Sequence, residues 1–243
     1  LKSGSLGLGE AYMEGWWNCA RIDAFICRLL KAHLEERISR NLRTCLSYLS
    51  ARLFNLQSVA RAVIVARRHY DLGNDLFFSF LDPYNQYSCG YFLGTDDLAE
   101  AQRKKLELIC RKLALKRGDH ILDIGCGWGG FARYAAEHYG CSVTAVNISE
   151  KQVQYAREYC ENLPVTILQE DYRAVRGIFD KIVSIGMFEH VGWKNYRAFM
   201  EVVHHCLKEN GIFLLQTIGG NASSKNCDPW IKRYIFPNGV LPS

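Results

Sequence analysis

No C-x-x-C pair occurs in the 243 residues, and no apolar run approaches the ~20 residues that span a bilayer. The first absence argues against a structural zinc, and no metal is expected. Together with the lack of a signal-peptide pattern, it makes the ten scattered cysteines reduced thiols of a cytosolic protein. The second absence leaves only peripheral contact with a membrane. Disorder-prone composition is missing as well, because charged residues make up 23% and hydrophobic residues 49% of the chain, as in ordinary folded domains.

What is present is unevenly placed. Residues 1–68 carry 11 Lys and Arg against 5 Asp and Glu, a net +6, whereas the remainder carries 19 against 20, a net −1. A basic excess of this kind suits anionic lipid or nucleic acid, and equally a solvated helical face. Ile22, Phe25, Ile26, Leu29, Leu30 and Leu34 share one stripe of an amphipathic helix, with Arg21, Arg28, Lys31 and Arg37 elsewhere on it. By pattern alone, docking of that stripe on its own domain is the commoner outcome. The alternative lays the helix on a phospholipid surface, with Trp16 and Trp17 as interfacial anchors. Leu42 to Leu56 reads as a second helix, and a basic bridge from Arg61 through His69 marks a domain boundary. The expected division is a small helical domain over 1–64, incomplete at its start, and a catalytic domain over 65–243. Because it starts at Leu1 and stops at Ser243 without terminal punctuation, the chain reads as a fragment whose sheet lacks its last strands.

The stretch Ile121-Leu122-Asp123-Ile124-Gly125-Cys126-Gly127-Trp128-Gly129-Gly130 organises the rest. A branched apolar run enters three glycines at alternate positions, and helical spacing follows from Phe131 to Tyr139. Strand, tight turn and helix in this order form the first crossover of an open α/β sheet, where backbone N–H groups approach a ligand closely. Gly125, Gly127 and Gly129 read G-x-G-x-G, the loop usual in S-adenosylmethionine-dependent methyltransferases; an ordinary βα turn without a ligand is the alternative. Strands at Ser142 to Asn147, Val165 to Leu168, Lys181 to Ile185 and Ile212 to Ile218 follow. They alternate with helices at Glu150 to Cys160, capped by Ser149, and Tyr196 to Leu207. The fold class is therefore α/β, a Rossmann-like parallel sheet with crossover helices. Upstream lie a short helix at Leu76 to Leu81 broken by Asp82-Pro83, a loop from Tyr87 to Phe92, and a clear helix from Leu98 to Leu113.

Ligands of such sheets bind outside the carboxyl ends of the strands. Those ends hold Asp123 to Gly129, Asn147 to Gln152, Asp171 to Tyr172, Gly186 to His190 and Gln216 to Gly219. Asp171 and Tyr172 suit an adenine, the carboxylate accepting its amine, though a plain turn carboxylate is the alternative. Asn147 shares ribose recognition with Gln152. Glu189 follows the apolar run Val183 to Phe188, where a carboxylate must be paired, protonated or working; a surface helix-start carboxylate is the alternative. Nothing near Cys89 in sequence activates its thiol, so its backbone is the more useful part.

Eight stretches then carry a family resemblance. They are Gly4 to Glu10, Ala51 to Ser58, His69 to Asp75, Gln86 to Cys89, Leu122 to Gly130, Gly186 to Gly192, Asp228 to Ile231 and Tyr234 to Gly239. The chain resembles the cyclopropane-fatty-acyl-phospholipid synthases, in the superfamily of the mycolic acid cyclopropane synthases. The resemblance implies transfer of a methylene group from S-adenosylmethionine to the cis double bond of an unsaturated phospholipid acyl chain. The alkene attacks the sulfonium methyl, and loss of a proton from the resulting cation closes the ring. It implies a bicarbonate base held at Cys89, Ile185 and Glu189 with a histidine on the fifth strand and a later tyrosine. It further implies a cofactor site of Tyr87, Ser88, Asp123, Gly125, Cys126, Gly127, Trp128, Gly129, Asn147, Ile148, Gln152, Asp171 and Tyr172.

Two departures stand out. Gln216 occupies the histidine position, where an amide can hydrogen-bond an anion but cannot carry charge or relay a proton. The tyrosine would fall past Ser243, so this stretch alone is expected to be inactive. The other implied features are an unsaturated phospholipid partner, an anionic membrane surface with the lipid-facing helix favoured over the docked one, a candidate homodimer, and cytoplasmic location at the inner face of the membrane. A branching C-methyltransferase, an N-methyltransferase and a non-catalytic lipid-binding protein are the rivals. Nucleic acid is not an expected partner, since no N/D-P-P-Y/F motif is present.

Overall fold

The structure, a computed structural model, describes residues 4–33, 55, 57–58, 74–223, 227–235 and 239–243. Most of the helix expected at Leu42 to Leu56, the boundary near Arg61 to His69, and the loop entry from His69 lie outside the described residues. Ahead of the sheet run α1 (Gly4–Met13), α2 (Ile22–Lys31), α3 (Asn74–Phe78) and α4 (Leu98–Lys112). The first two bury no residue. Trp16 is 78% and Leu30 63% exposed, so the stripe of α2 is open among the described residues. Trp17 behaves differently from its neighbour. Its ring packs on Tyr12 and Phe25 and its Nε1 donates to Leu8 O at 3.2 Å, so it ties α1 to α2 instead of standing out as an anchor. No helix among the described residues is long and apolar enough to cross a membrane.

Strands β1 (His120–Ile124), β2 (Ser142–Asn147), β3 (Val165–Gln169), β4 (Phe179–Ile185) and β5 (Leu207–Gln216) form one sheet ordered β3-β2-β1-β4-β5. Every pairing is parallel, as the α/β reading requires. Both faces are covered, which is why the strands need apolar residues at successive positions. In β1, Ile121 joins the core on one face, while Leu122 and Ile124 join that on the other. The first face packs against α4, α5 (Gly130–Tyr139) and α6 (Glu150–Tyr159). The second packs against α7 (Phe188–Val191) and α8 (Tyr196–Cys206). A last helix, α9 (Pro229–Tyr234), meets α1: Glu10 Oε1 receives Tyr234 Oη and Arg233, each at 2.9 Å, and Gly9 lies against the Trp230 ring.

The sequence runs β1 to β2 to β3 outward on one side, then returns past β1 to β4 and β5. Neighbouring strands therefore depart in opposite directions between β1 and β4, and a crevice opens at their carboxyl ends. Strand β5 differs from expectation at both ends. Lys208 to Gly211 reads as a turn in sequence, yet Leu207 already pairs with Phe179 and Ile212 with Lys181, so those four residues bulge out of a continuous strand. The strand stops at Gln216 because the next ladder amide is diverted: Ile218 N donates to Glu189 Oε1 at 2.7 Å. The helix expected from Leu76 begins earlier, at Asn74, and its regular part closes at Phe78.

Phe199 on α8 anchors the second core. It is fully buried, with Tyr172, Phe188 and Phe213 rings within 5.3, 5.2 and 6.1 Å. Phe199→Ala is expected to cost about 3–5 kcal/mol, read as a lowered midpoint in urea denaturation with an unchanged slope.

Candidate active site

Backbone conformation builds the site first. Gly125, Gly127 and Gly129 have φ of 86°, 55° and 85°, a region that side chains with a Cβ avoid. A Cβ on Gly125 would come within 2.7 Å of the Met187 side chain, whereas one on Gly127 would meet nothing within 4 Å. Gly127 therefore borders open space and Gly125 is wedged. Gly129 has another task. A Cβ there would strike Cys160 and Ala156, so this glycine lets α5 pack on α6 and does not line the cavity. The Val146 carbonyl accepts from both Gly125 N and Cys126 N, at 3.0 and 3.2 Å, pinning the turn to β2.

A cavity opens beside this turn. Tyr87, Ser88, Asp123, Gly125, Cys126, Gly127, Trp128, Asn147, Ile148, Gln152, Asp171, Tyr172 and Ile185 line it. Trp128 is 1% exposed and donates through Nε1 to Asn74 Oδ1 at 3.0 Å, which holds α3 against the turn. Asn147 Nδ2 donates to Gln152 Oε1 at 2.8 Å and to Gly127 O at 3.1 Å, joining the end of β2 to the first turn of α6 and to the glycine turn. Asp171 is gripped by Arg173, whose Nε and Nη2 each donate to a carboxylate oxygen at 2.7 Å. Burial pushes this carboxyl up, but hydrogen bonds from Arg173 outweigh it and hold the group below its ordinary value. Tyr172 lines the cavity from within the second core; its hydroxyl has no hydrogen-bond partner among the described residues.

Cys89, Glu189 and Gln216 stand together at the carboxyl ends of β4 and β5, outside that lining. Gln216 pairs with Ile185 across the sheet, and its Nε2 donates to Cys89 Sγ at 3.4 Å. Glu189, on α7, is 9% exposed, so it is not a surface carboxylate. Its Oε1 receives Ile218 N, while its Oε2 and the Gln216 Oε1 are buried without partners among the described residues. Turning the Gln216 amide over exchanges its oxygen and nitrogen, which lets the Cys89 thiol donate and presents an N–H to the buried side. Among the described residues no cluster of three or more His, Cys, Asp or Glu side chains could hold a metal, and the described cysteines are free thiols.

Sequence reasoning missed Lys105, Gln102, Gln57 and Arg173. Lys105 carries a signal in hindsight. It lies four residues from both Ala101 and Ile109, on the buried stripe of α4, where a lysine is out of place.

The family of mycolic acid cyclopropane synthetases matches residues 57–243. The chain belongs to that family. An Escherichia coli K12 cyclopropane-fatty-acyl-phospholipid synthase is 56% identical over all 243 residues, and the chain spans 64% of that protein's length. The tuberculostearic acid methyltransferase UfaA1 of Mycobacterium tuberculosis is 30% identical over 266 aligned positions, covering all of this chain and 60% of that one. Among solved structures, mycolic acid cyclopropane synthase CmaA1 complexed with SAH and CTAB superposes with a TM-score of 0.68 at 35% identity. That match covers 74% of this chain and 70% of the other.

Asp123 is expected to make the stability of this family member depend on pH. It is 1% exposed, its Oδ2 has no partner among the described residues, and burial pushes its carboxyl up to about 7. The folded state thus holds this proton more tightly than the unfolded chain, whose Asp titrates near ~3.9. Stability of the ligand-free protein is expected to fall as pH rises from ~4 to about 7, then to level off. In urea denaturation across that range, Asp123→Asn is expected to flatten the slope.

Proposed function

We propose that this chain belongs to an enzyme transferring a methylene group from S-adenosylmethionine to the cis double bond of unsaturated acyl chains in membrane phospholipids, which yields cyclopropane rings. The observation that carries this reading is the adjacency, at one end of one sheet, of the glycine-turned cavity and the buried Glu189 carboxylate with its unpartnered oxygen. The Escherichia coli relative, 56% identical throughout, supports the same chemistry.

The residues present fit both implied groups. Gly127 leaves room for a ligand against the backbone, and the orphaned Asp123 oxygen calls for a hydrogen-bond donor such as an ammonium group. Tyr87, Ser88, Cys126, Trp128, Ile148 and the linked pair Asn147 and Gln152 would enclose S-adenosylmethionine, with Asp171 and Tyr172 beside its adenine. When bound, that cofactor supplies an electrophilic methyl on a sulfonium. Glu189 Oε2, an acceptor without a donor, suits the O–H of bicarbonate, and Gln216 would offer its amide N–H to the same anion. Bicarbonate, held there with the backbone at Cys89 and Ile185, would supply a base for the proton lost in ring closure. The exposed stripe of α2, with Arg28 and Lys31 in its last turn, supports peripheral contact with an anionic membrane surface.

Gln216 favours a second reading. Without the family histidine, the cation left by methyl transfer could lose its proton from a different position and leave a methylene branch instead of a ring, and UfaA1 is named as a methyltransferase. Incubated with S-adenosylmethionine and vesicles of cis-monounsaturated phospholipid, the intact protein is expected to give the upfield ring protons of a cyclopropane by NMR. Cofactor consumption without those signals would transfer the assignment to the branching reaction. Glu189→Gln is expected to slow ring formation by roughly 100-fold or more, the scale of a lost acid-base group.

A further inference from the structure

Lys105 is a buried cation that the proposed chemistry does not use. It is 6% exposed, on the face of α4 that packs against the sheet. Its ammonium makes no ion pair among the described residues. It donates instead to two neutral oxygens, Gln86 Oε1 at 2.7 Å and Ser88 Oγ at 2.8 Å. The buried Asp82 carboxylate lies near enough to favour the charge, but its oxygens cap the Tyr84 and Gln86 amides. Burial lowers the lysine to about 8, against the opposing field of Asp82. An ammonium in this position costs stability that a methionine of similar length would not. Its retention points to work done at the two oxygens.

The polarity of those bonds is fixed by chemistry. An ammonium only donates, so Gln86 Oε1 and Ser88 Oγ must accept. Gln86 is thereby turned to send its Nε2 to Tyr84 O at 3.2 Å. Ser88 has one proton and cannot spend it on Lys105. Its side chain lines the cavity, its Cβ within reach of Gly186 at the end of β4, and its hydroxyl proton is left for the cavity side. A donor already accepting from a cation is a stronger donor. One turn earlier on α4, Gln102 Nε2 donates to Gln86 O at 3.3 Å and Ser88 O at 2.7 Å, so the backbone of the loop is held by the same helix.

We propose that Lys105 is a positioning residue that commits the Ser88 hydroxyl to donate into the cavity, where it selects the carboxylate of the cofactor's amino-acid part. This rests on the reading that the cavity takes an S-adenosyl amino acid. The test is calorimetric binding of S-adenosylhomocysteine and of 5′-methylthioadenosine, which lacks that carboxylate. Binding of S-adenosylhomocysteine by the parent protein tests the underlying reading, and its failure would remove both claims. Given such binding, Lys105→Met is expected to weaken S-adenosylhomocysteine about tenfold, the scale of one charge-assisted hydrogen bond, while changing 5′-methylthioadenosine less than twofold. In a Ser88→Ala background the same substitution is expected to add no further loss, because the lysine acts through that hydroxyl. The thermal midpoint of the ligand-free Lys105→Met variant should stay level or rise. Equal weakening of both ligands, or additive losses in the double variant, would reduce Lys105 to a packing role and overturn the proposal; so would no weakening of either ligand.

Discussion

The left-handed turn between β1 and α5 is the constraint from which the carboxyl end of the sheet follows. One carbonyl, that of Val146, accepts two successive amides of the turn, and this forces the chain through backbone angles open to glycine. Once the turn is set, α5 must start where it does and lie on α6, since Gly129 leaves no gap between them. Met187, just past β4, then closes on Gly125, and the crevice between the two directions of strand travel becomes a walled cavity. A change at the turn would thus be felt through two helices and three strands.

The cavity and the group around Glu189 are held by different physics. Around the cavity, positions are set by backbone geometry and by pairs of neutral groups such as Asn147 and Gln152. Around Glu189 they are set by charge in a dry setting: a carboxylate with one oxygen satisfied by Ile218 and the other left open stores an unmet demand for a donor. Asp123, near the carboxyl end of β1, has a buried oxygen without a partner as well. Two unmet carboxylate oxygens, each buried, are costly features in an otherwise well-satisfied fold, and ligand binding is the natural way to offset them.

Local pattern was enough wherever the determinant was local. The bounds of β2 and the Ser149 cap of α6, which accepts Gln152 N at 3.4 Å, were readable from branched residues, turn residues and spacing. Gly125 to Gly129 likewise announced their turn, although which glycine borders open space and which lies against a helix depends on neighbours 27 to 62 residues away. The bulge in β5 was hidden because Lys208-Glu209-Asn210-Gly211 is turn-like in composition while the pairing that overrides it comes from β4. Asp171 lines the cavity as its strand-end place suggests, while its clamp by Arg173, two residues on, was not read from the sequence. Asn195, which reaches Asn55 and Gln57 across about 140 residues, could not be read at all.

Glu189 also has a place in time. Its carboxylate is bonded to the amide of Ile218 and its carbonyl accepts Val240 N at 3.0 Å, both from chain synthesised after it. Glu10, near the other end, waits longer, for Arg233 and Tyr234, over 220 residues downstream. During vectorial synthesis the sheet can close around β1 to β5 while α1 and this carboxylate still lack their partners. Long-range closure of this kind is slow and leaves apolar surface open meanwhile. The carboxyl end of the sheet and the α1–α9 contact are therefore completed only when the last described residues have emerged.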